Sequence, residues 1–599
     1  MLIGPIFSRE LVTAPRRPQH FVYRGVYGTG LFVLMCTAWL VLAGTQIIRN
    51  VGDMAKFGSI FFLIVTPLQL ALLTFLAALR SASGVAQEKD KKTILLLLMT
   101  RLTNHELVLG KLLASLLDVL VMLATAAPIF MLLTLFGGVS AAQVCRVFAV
   151  TLATILAAGS LGSTVALARD KTFQSLAMTA LVLMIWVGLW EAIAVLAGHV
   201  RVGGVPLESI AGAMSPIRAI LIAAHPYRDT LGLFAAADSW FVVTALVIAA
   251  LLNGLAIMRL RVWNPGRDVL PRQEEEGEPK EFSVEAARAG HVDARVRTVD
   301  TKSRQVWDNP VLWREMCTWA YGRKVLVIKA VYWLLFVMAA LAMYWTIQSG
   351  AAHLRASETI IPAAARPLAP FFLVSLVIVN ALAVTSITNE RDGGSLDLLL
   401  VTDLTPKEFL FGKMLGVAYV TWEMLAAPLV LCLALFFAGA LTVNNLLFLL
   451  IGLVVMDVFV ITLGVHTGMN YANSKTAIGV SLGSVFFLFL GVVTLILFMI
   501  SFSGSFQTQL APFLAFIVGG SVGLFVALGI RNASSAIGWA ALLLPFLTFL
   551  AITNFLIDHH AAAFLYTAFI YSFTTAAMLV PALNEFDIAM GRSKVAGEE

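Results

Sequence analysis

Charge is what this sequence has least of. Only 13% of its 599 residues are Asp, Glu, Lys or Arg, where a soluble domain carries about a quarter, so a water-soluble globule of this length is excluded. Cysteine is also scarce: Cys36, Cys145, Cys317 and Cys432 stand apart in apolar or juxtamembrane sequence, which excludes a disulfide framework and a spaced zinc site. No Gly-x-x-x-x-Gly-Lys-Ser/Thr occurs, since the two Gly-Lys pairs are followed by Leu112 and Met414, so there is no phosphate-cradling loop. His-Glu-x-x-His and Gly-x-Ser-x-Gly are missing as well. An enzyme is therefore not expected, and neither a cofactor nor a metal is expected on this chain. Residues 1–24 hold Arg9, Glu10, Arg16, Arg17 and Arg24 without an apolar core, so they are not read as a cleavable signal. They are expected to be a short amphipathic segment on the cytoplasmic surface, with a disordered tail as the other reading.

What fills the chain instead is apolar sequence, 59% of all residues, in continuous runs of about 20, the length of a membrane-crossing helix. Continuous runs favour helices over a barrel, whose strands alternate. Expected spans are 25–47, 58–80, 107–136, 141–168, 174–198 and 236–259 in the first half. In the second they are 326–347, 368–388, 409–438, 445–468, 477–501, 510–530, 536–557 and 562–583, with one pair among the last four a candidate re-entrant segment. The fold class is thus all-α, a polytopic membrane protein of about 12–14 spans. The formal charge of +6 sits mostly in loops and reads as orientation, not nucleic-acid binding. Basic residues cluster after the second span (Arg80, Lys89, Lys91, Lys92, Arg101, Lys111) and the fourth (Arg169, Lys171), and again at Arg391, Lys407, Lys413 and Lys475. These loops, and with them both termini, are expected to be cytoplasmic. A stretch around Met214–Ala224 is expected to pack on the outer surface. Residues 264–304 carry 17 of the 76 charged residues; such density forbids burial in lipid and reads as a solvated linker. The chain divides accordingly into a first transmembrane unit (1–263), the linker (264–304) and a second unit (305–599).

The two units repeat each other. Residues 88–113 align without a gap to 390–415, identical at 12 of 26 positions. The informative matches are Glu88/Glu390, Asp90/Asp392, Thr100/Thr402, Thr103/Thr405, Glu106/Glu408, Gly110/Gly412 and Lys111/Lys413. Gly4–Glu10 answers Asn309–Glu315, Ala126-Ala-Pro128 answers Ala426-Ala-Pro428, and Lys171-Thr172 answers Lys475-Thr476. Feature order is the same in both halves, which marks a duplication. Both loops leave the second span and enter the third, so the halves are parallel repeats about an axis along the membrane normal, with a central path between them. Transport is the natural use of such a path.

Thr103-Asn-His-Glu106 and Thr405-Pro-Lys-Glu408 have the form of capping boxes, with Pro406 suited to the first helical position. Lys111 and Lys413, one turn beyond the glutamates, are expected to snorkel to the headgroups. Before each box lies an apolar piece, 93–100 and 395–402, too short to span and too apolar for water. It either closes the end of the bundle or docks a soluble partner.

These residues resemble a known family. Asn309-Pro-Val-Leu-Trp-Arg-Glu315 is similar to the amphipathic connecting helix of type-2 ATP-binding-cassette (ABC) exporter permeases. The stretch from Glu390-Arg391-Asp392 through Leu398-Leu399-Leu400, Thr402, Thr405-Pro406 and Glu408 to Gly412-Lys413 is similar to their loop between spans two and three. The resemblance implies that 395–402 is a coupling helix for a separate cytoplasmic ABC ATPase subunit, in two copies, whose ATP drives rearrangement of the bundle in a cell inner membrane. The first copy fits more loosely, with Lys91-Lys92 for the glycine pair, Leu95 for Asp397 and Asn104 for Pro406. Spans after residue 510 depart from a six-span unit.

Three carboxylates fall inside expected spans. Asp118 lies about 16 Å along the third span, Glu423 at comparable depth in the repeat, and Asp457 half-way along the next. They mark a candidate translocation path, or else bond helices together; no matching intramembrane Lys or Arg is expected. Glu191, beside Trp190, reads as interfacial. The leading expectation is the permease of an ATP-driven exporter. Its rivals are an ion-coupled secondary transporter using Asp118, Glu423 and Asp457, and a membrane scaffold without flux.

Overall fold

The computed structural model describes residues 5–13, 16, 18–45, 51–91, 93–169, 171–197, 201–202, 205–226, 237–264, 307–317, 325–348, 365, 368–400, 402, 404–501, 510–529 and 534–584. The charged linker, apart from Asn264, lies outside them, as does the carboxyl terminus after residue 584. Among them only Arg201–Val202 and Val205–Pro206 pair as strands, in a short hairpin. In lipid each backbone N–H and C=O must find a partner within its own segment, so the apolar runs are helices.

The first half contains α1 (Pro5–Thr13), α2 (Pro18–Thr45), α3 (Val51–Asp90), α4 (Thr93–Leu98), α5 (Asn104–Phe136), α6 (Ala141–Ala168), α7 (Thr172–Ala197), α8 (Leu207–Met214), α9 (Pro216–Ala224) and α10 (Ala237–Trp263). The second contains α11 (Pro310–Cys317), α12 (Val325–Gln348), α13 (Leu368–Asp392), α14 (Ser395–Leu400), α15 (Pro406–Val420), α16 (Trp422–Phe437), α17 (Val443–Asn470), α18 (Ser474–Ser501), α19 (Leu510–Gly529), α20 (Ser535–Leu556) and α21 (His560–Asn584). Twelve are long and apolar enough to cross a membrane: α2, α3, α5, α6, α7 and α10, then α12, α13, α17, α18, α20 and α21.

One of the fourteen expected spans differs. The segment 510–530 is the helix α19, but 409–438 is not one helix: α15 and α16, long and apolar enough together, are bent by 59° at Thr421. The Thr421 hydroxyl donates to the Val417 carbonyl at 2.8 Å, a local bond that competes with the helical ladder. Beyond the bend Pro428 has no N–H for the Met424 carbonyl, and the Tyr332 hydroxyl approaches that oxygen at 3.4 Å. The other bent pair is not among the last four spans. It is α8 and α9, meeting at 94°. The stretch around Met214–Ala224 packs one face on α3, α6 and α10, with Ala219, Ile220 and Ala223 fully buried and Ile217, Leu221 and Ile222 exposed. Its exposed carbonyls are met by side chains of neighbouring spans. Thr244 donates to Ala213 O at 2.7 Å, Trp186 to Met214 O at 3.0 Å, Gln143 to Ala224 O at 2.9 Å and Arg146 to His225 O at 3.0 Å. Glu191 is tied to the same element, accepting from Ser215 at 2.8 Å and Arg218 at 3.1 Å.

The halves interlock reciprocally. The fifth span of the first half, α7, packs on α12 and α13, while its counterpart α18 packs on α3. One apolar core therefore mixes Phe173, Leu176 and Leu181 with second-half residues. The other mixes Leu495, Phe498, Phe513 and Ile517 with α2, α3 and α5. Phe75 and Phe486 stack across the seam, rings 4.0 Å apart and parallel within 2°.

Candidate functional site

The repeated loops fold into two similar assemblies on one face of the bundle. Each begins with a six-residue helix, α4 or α14, joined to the preceding span by a hydroxyl: Thr93 donates to Glu88 O at 3.0 Å and Ser395 to Glu390 O at 3.2 Å. One side chain of each is inserted, Ile94 and Leu396, both buried. Each ends on a threonine bonded one turn back, Thr100 to Leu97 O at 2.6 Å and Thr402 to Leu399 O at 2.5 Å. In the first copy Leu96 and Met99 are left 61% and 71% exposed. In the second copy Leu399 is half-buried, and the side chains of Asp397, Leu398 and Leu400 lie outside the described residues.

The capping boxes form where the sequence puts them. Glu106 accepts from the Thr103 N–H at 3.0 Å and Glu408 from the Thr405 N–H at 2.9 Å. In the second copy the Thr405 hydroxyl also accepts from Glu408 N at 3.2 Å, with Pro406 at the first helical position. A further pair of caps, Ser140 and Thr442, starts the fourth spans. They stand at the same offset as the two loops, a signal that lay in the sequence beyond the aligned segment.

Behind each short helix lies a charged clasp. Lys413 is 1% exposed and does not snorkel: its ammonium lies 2.6 Å from Glu315 of α11, 2.6 Å from Glu390 of α13 and 3.3 Å from Ser386 O. Arg314 joins Glu390 and lies 3.4 Å from Glu315. The first copy pairs Lys111 with Glu88, Lys111 being 15% exposed. Snorkelling loses because two buried carboxylates already surround the lysine, and withdrawing it would leave them uncompensated. The glycines explain how the entry helix comes so close. A Cβ on Gly412 would stand 2.9 Å from Val311 Cβ, and one on Gly416 2.6 Å from Glu315 Cβ. Gly110 faces Ile6 of α1 at 3.4 Å. The clasp thus joins three separate repeat matches: the Arg-Glu of the entry helix, the glutamate ending span two and the lysine opening span three.

The remaining loop residues also have partners. Asp90 accepts from the Thr172 hydroxyl, and Arg391 donates to Met469 O at 3.1 Å and to Tyr471 O. Asp392 crosses the seam to Lys91 of the other copy at 3.7 Å. The two loops therefore meet on the same face, as parallel repeats require.

Two of the three intramembrane carboxylates do have matching cations, contrary to expectation. Arg80 lies 2.5 Å from Asp118, with its guanidinium 4.9 Å above the Tyr23 ring, and Lys329 lies 2.8 Å from Glu423. The signal for Arg80 was in the spacing. Once Glu88 meets Lys111 on antiparallel helices, residues about two turns further along each meet again deeper in the bundle. Asp118 thus joins α3 to α5 and Glu423 joins α12 to α16, each within its own half. Asp457 is half-buried on α17, without an ion pair among the described residues.

Comparison with protein families gives one match. The family model described as ABC-2 family transporter protein covers residues 29–259, from within α2 to near the end of α10. Over these residues the first half is similar to that family. No curated protein matches the chain. The match falls on the copy whose loop departs further from the permease pattern.

Proposed function

We propose that the chain is the permease of an ATP-driven ABC exporter, with both membrane halves on one polypeptide. ATP is hydrolysed by two separate ATPase subunits, which dock on α4 and α14 at the cytoplasmic face of an inner membrane. The observation that carries this is the pair of short helices on one face, each anchored by a buried side chain and backed by a clasp at the start of the third span. Displacing such a helix pulls on Glu88 or Glu390, and through the lysine on α5 or α15, so a push from outside reaches the membrane segments. Members of the ABC-2 family usually pair with an ATPase subunit, which supports the same reading. An ion-coupled transporter gains less support, because Asp118 and Glu423 are each held by a cation.

The test is co-purification with an ABC ATPase subunit expressed together with the chain, followed by turnover in nanodiscs. Replacing Leu398 and Leu400 by Asp is expected to abolish both association and permease-stimulated ATPase activity. Leu96→Asp in the first copy should weaken both, with unchanged thermal stability because Leu96 is exposed. Full association and turnover in the Leu398/Leu400 variant would overturn the docking role.

A further inference from the structure

The duplication has an unequal pair of corners on the face opposite the repeated loops. Arg391 holds the far end of α17 at the loops, and 28 helical residues put its start about 42 Å away. Counted from the caps Ser140 and Thr442, Gln143 of α6 answers Asn445 of α17, and Arg146 answers Phe448. In the first half these positions grip the end of α9. Gln143 donates to Ala224 O at 2.9 Å and Arg146 to His225 O at 3.0 Å, while Asp238, the second residue of α10, lies 3.5 Å from Arg146. The corner between the fourth and sixth spans is thus filled by a helix end of the chain itself, with Ala219, Ile220 and Ala223 buried.

In the second half α21 packs on α17 as α10 packs on α6, but the same corner is open. A cavity of about 600 Å³ lies there, lined by Thr442, Asn444, Asn445, Phe448 and residues 558–562. Phe448 stands where the first half has Arg146, and Ala561, the second residue of α21, where it has Asp238. Phe448 stacks on Phe564, rings 4.9 Å apart, as an aromatic floor. The helices between α18 and α21 are engaged elsewhere: Phe513 and Ile517 of α19 and Phe549 and Ile552 of α20 belong to the first-half core. The Asn445 side-chain amide has no hydrogen-bond partner among the described residues. Asn444 and His559 are exposed beside it, and Asp558 stands 94% exposed on the rim. We infer that this cavity seats the carboxyl-terminal turn of a short helix from a second protein, as the first half seats α9. The last carbonyls of a helix lack partners within it, and side-chain N–H groups are what this corner offers them in both halves. A cation near that end is favoured by the helix dipole. The fitting helix therefore has a small aliphatic contact face, like that of α9, and a basic last residue to meet Asp558, much as α9 ends on His225.

The experiment uses the full chain in nanodiscs and, as probe, an amidated peptide of the α9 sequence, residues 215–225. It is stapled between the positions of Ile217 and Leu221, which are exposed in the protein, because an isolated helix of this length is marginal in water. A photo-reactive group replaces the exposed Ile222. The expected result is saturable crosslinking that maps to residues 442–448 or 558–562. Asn445→Leu should weaken capture about fivefold, the scale of one hydrogen bond, while Asn445→Gln, which restores the first-half residue, should keep it. Ala561→Trp fills the cavity from an exposed position and should abolish capture at unchanged thermal stability. A peptide carrying His225→Glu should bind about threefold more weakly than one carrying His225→Lys, the scale of a charge at a helix end. No capture at saturating peptide would overturn the inference. So would crosslinks confined to the first half, or capture that Ala561→Trp leaves unchanged. A headgroup-labelled phospholipid that crosslinks at 558–562 and is not displaced by the peptide would overturn it too, and assign the corner to lipid.

Discussion

At the scale of single residues, the clasps are where burial and charge conflict most. Lys413 is almost without solvent and holds two carboxylates. Removing one partner of a buried ion pair costs about 3–5 kcal/mol, because the other charge stays buried. Lys413→Ala should therefore lower the thermal unfolding temperature in detergent far more than Lys111→Ala, whose more exposed pair is worth about 1 kcal/mol or less. Equal shifts for the two would show that the copies are not unequal in this way. The repeat alignment marked both lysines as special but pointed each at the headgroups. Position along one helix says nothing about which other helix passes over it, and Glu315 lies 98 residues from Lys413.

At the scale of elements, the entry helix α11 depends on two glycines of α15. Gly416→Leu would place atoms where Glu315 already stands, an overpacking worth about 1–3 kcal/mol. It should separate α11 from α15, read as loss of crosslinking between cysteines at Val311 and Phe409. The broken third span offers a second test. Lys329 and Glu423 compensate each other across α12 and α16, so Lys329→Met alone should destabilise the protein more than Lys329→Met with Glu423→Gln. A double-mutant cycle in thermal stability reads that coupling. The bend itself was hidden in the sequence. Thr421 has no mark that separates it from any other threonine in an apolar run, and Pro428, the visible helix breaker, has a counterpart in Pro128 of the unbroken α5.

At the scale of the whole molecule, the reciprocal packing of α7 on α13 and α18 on α3 makes the halves one body. The two repeated loops also touch, through Lys91 and Asp392, so movement of one relative to the other breaks that contact. Lys91→Cys with Asp392→Cys, joined by a short bismaleimide, should block coupled ATP turnover, while each single variant keeps most of it. Unchanged turnover in the crosslinked protein would show that the loops need not part. The helices α19 and α20, which had no counterpart in a six-span unit, find a place at this scale. Phe513, Ile517, Phe549 and Ile552 complete the core of the first half, so the extra sequence braces the seam between the units.

The sequence by itself determined the membrane-spanning all-α class, the duplication and the capped loops. Each of these follows from local composition or from spacing along one chain, and hydrophobic length and cap chemistry act over a few turns. Tertiary structure alone decided which charges meet. Lys329 with Glu423, Lys413 with Glu315 and Lys91 with Asp392 are long-range choices, fixed by how helices cross. In a low-dielectric interior a charge takes whichever opposite charge the packing brings within reach, and no periodicity along the chain records that crossing.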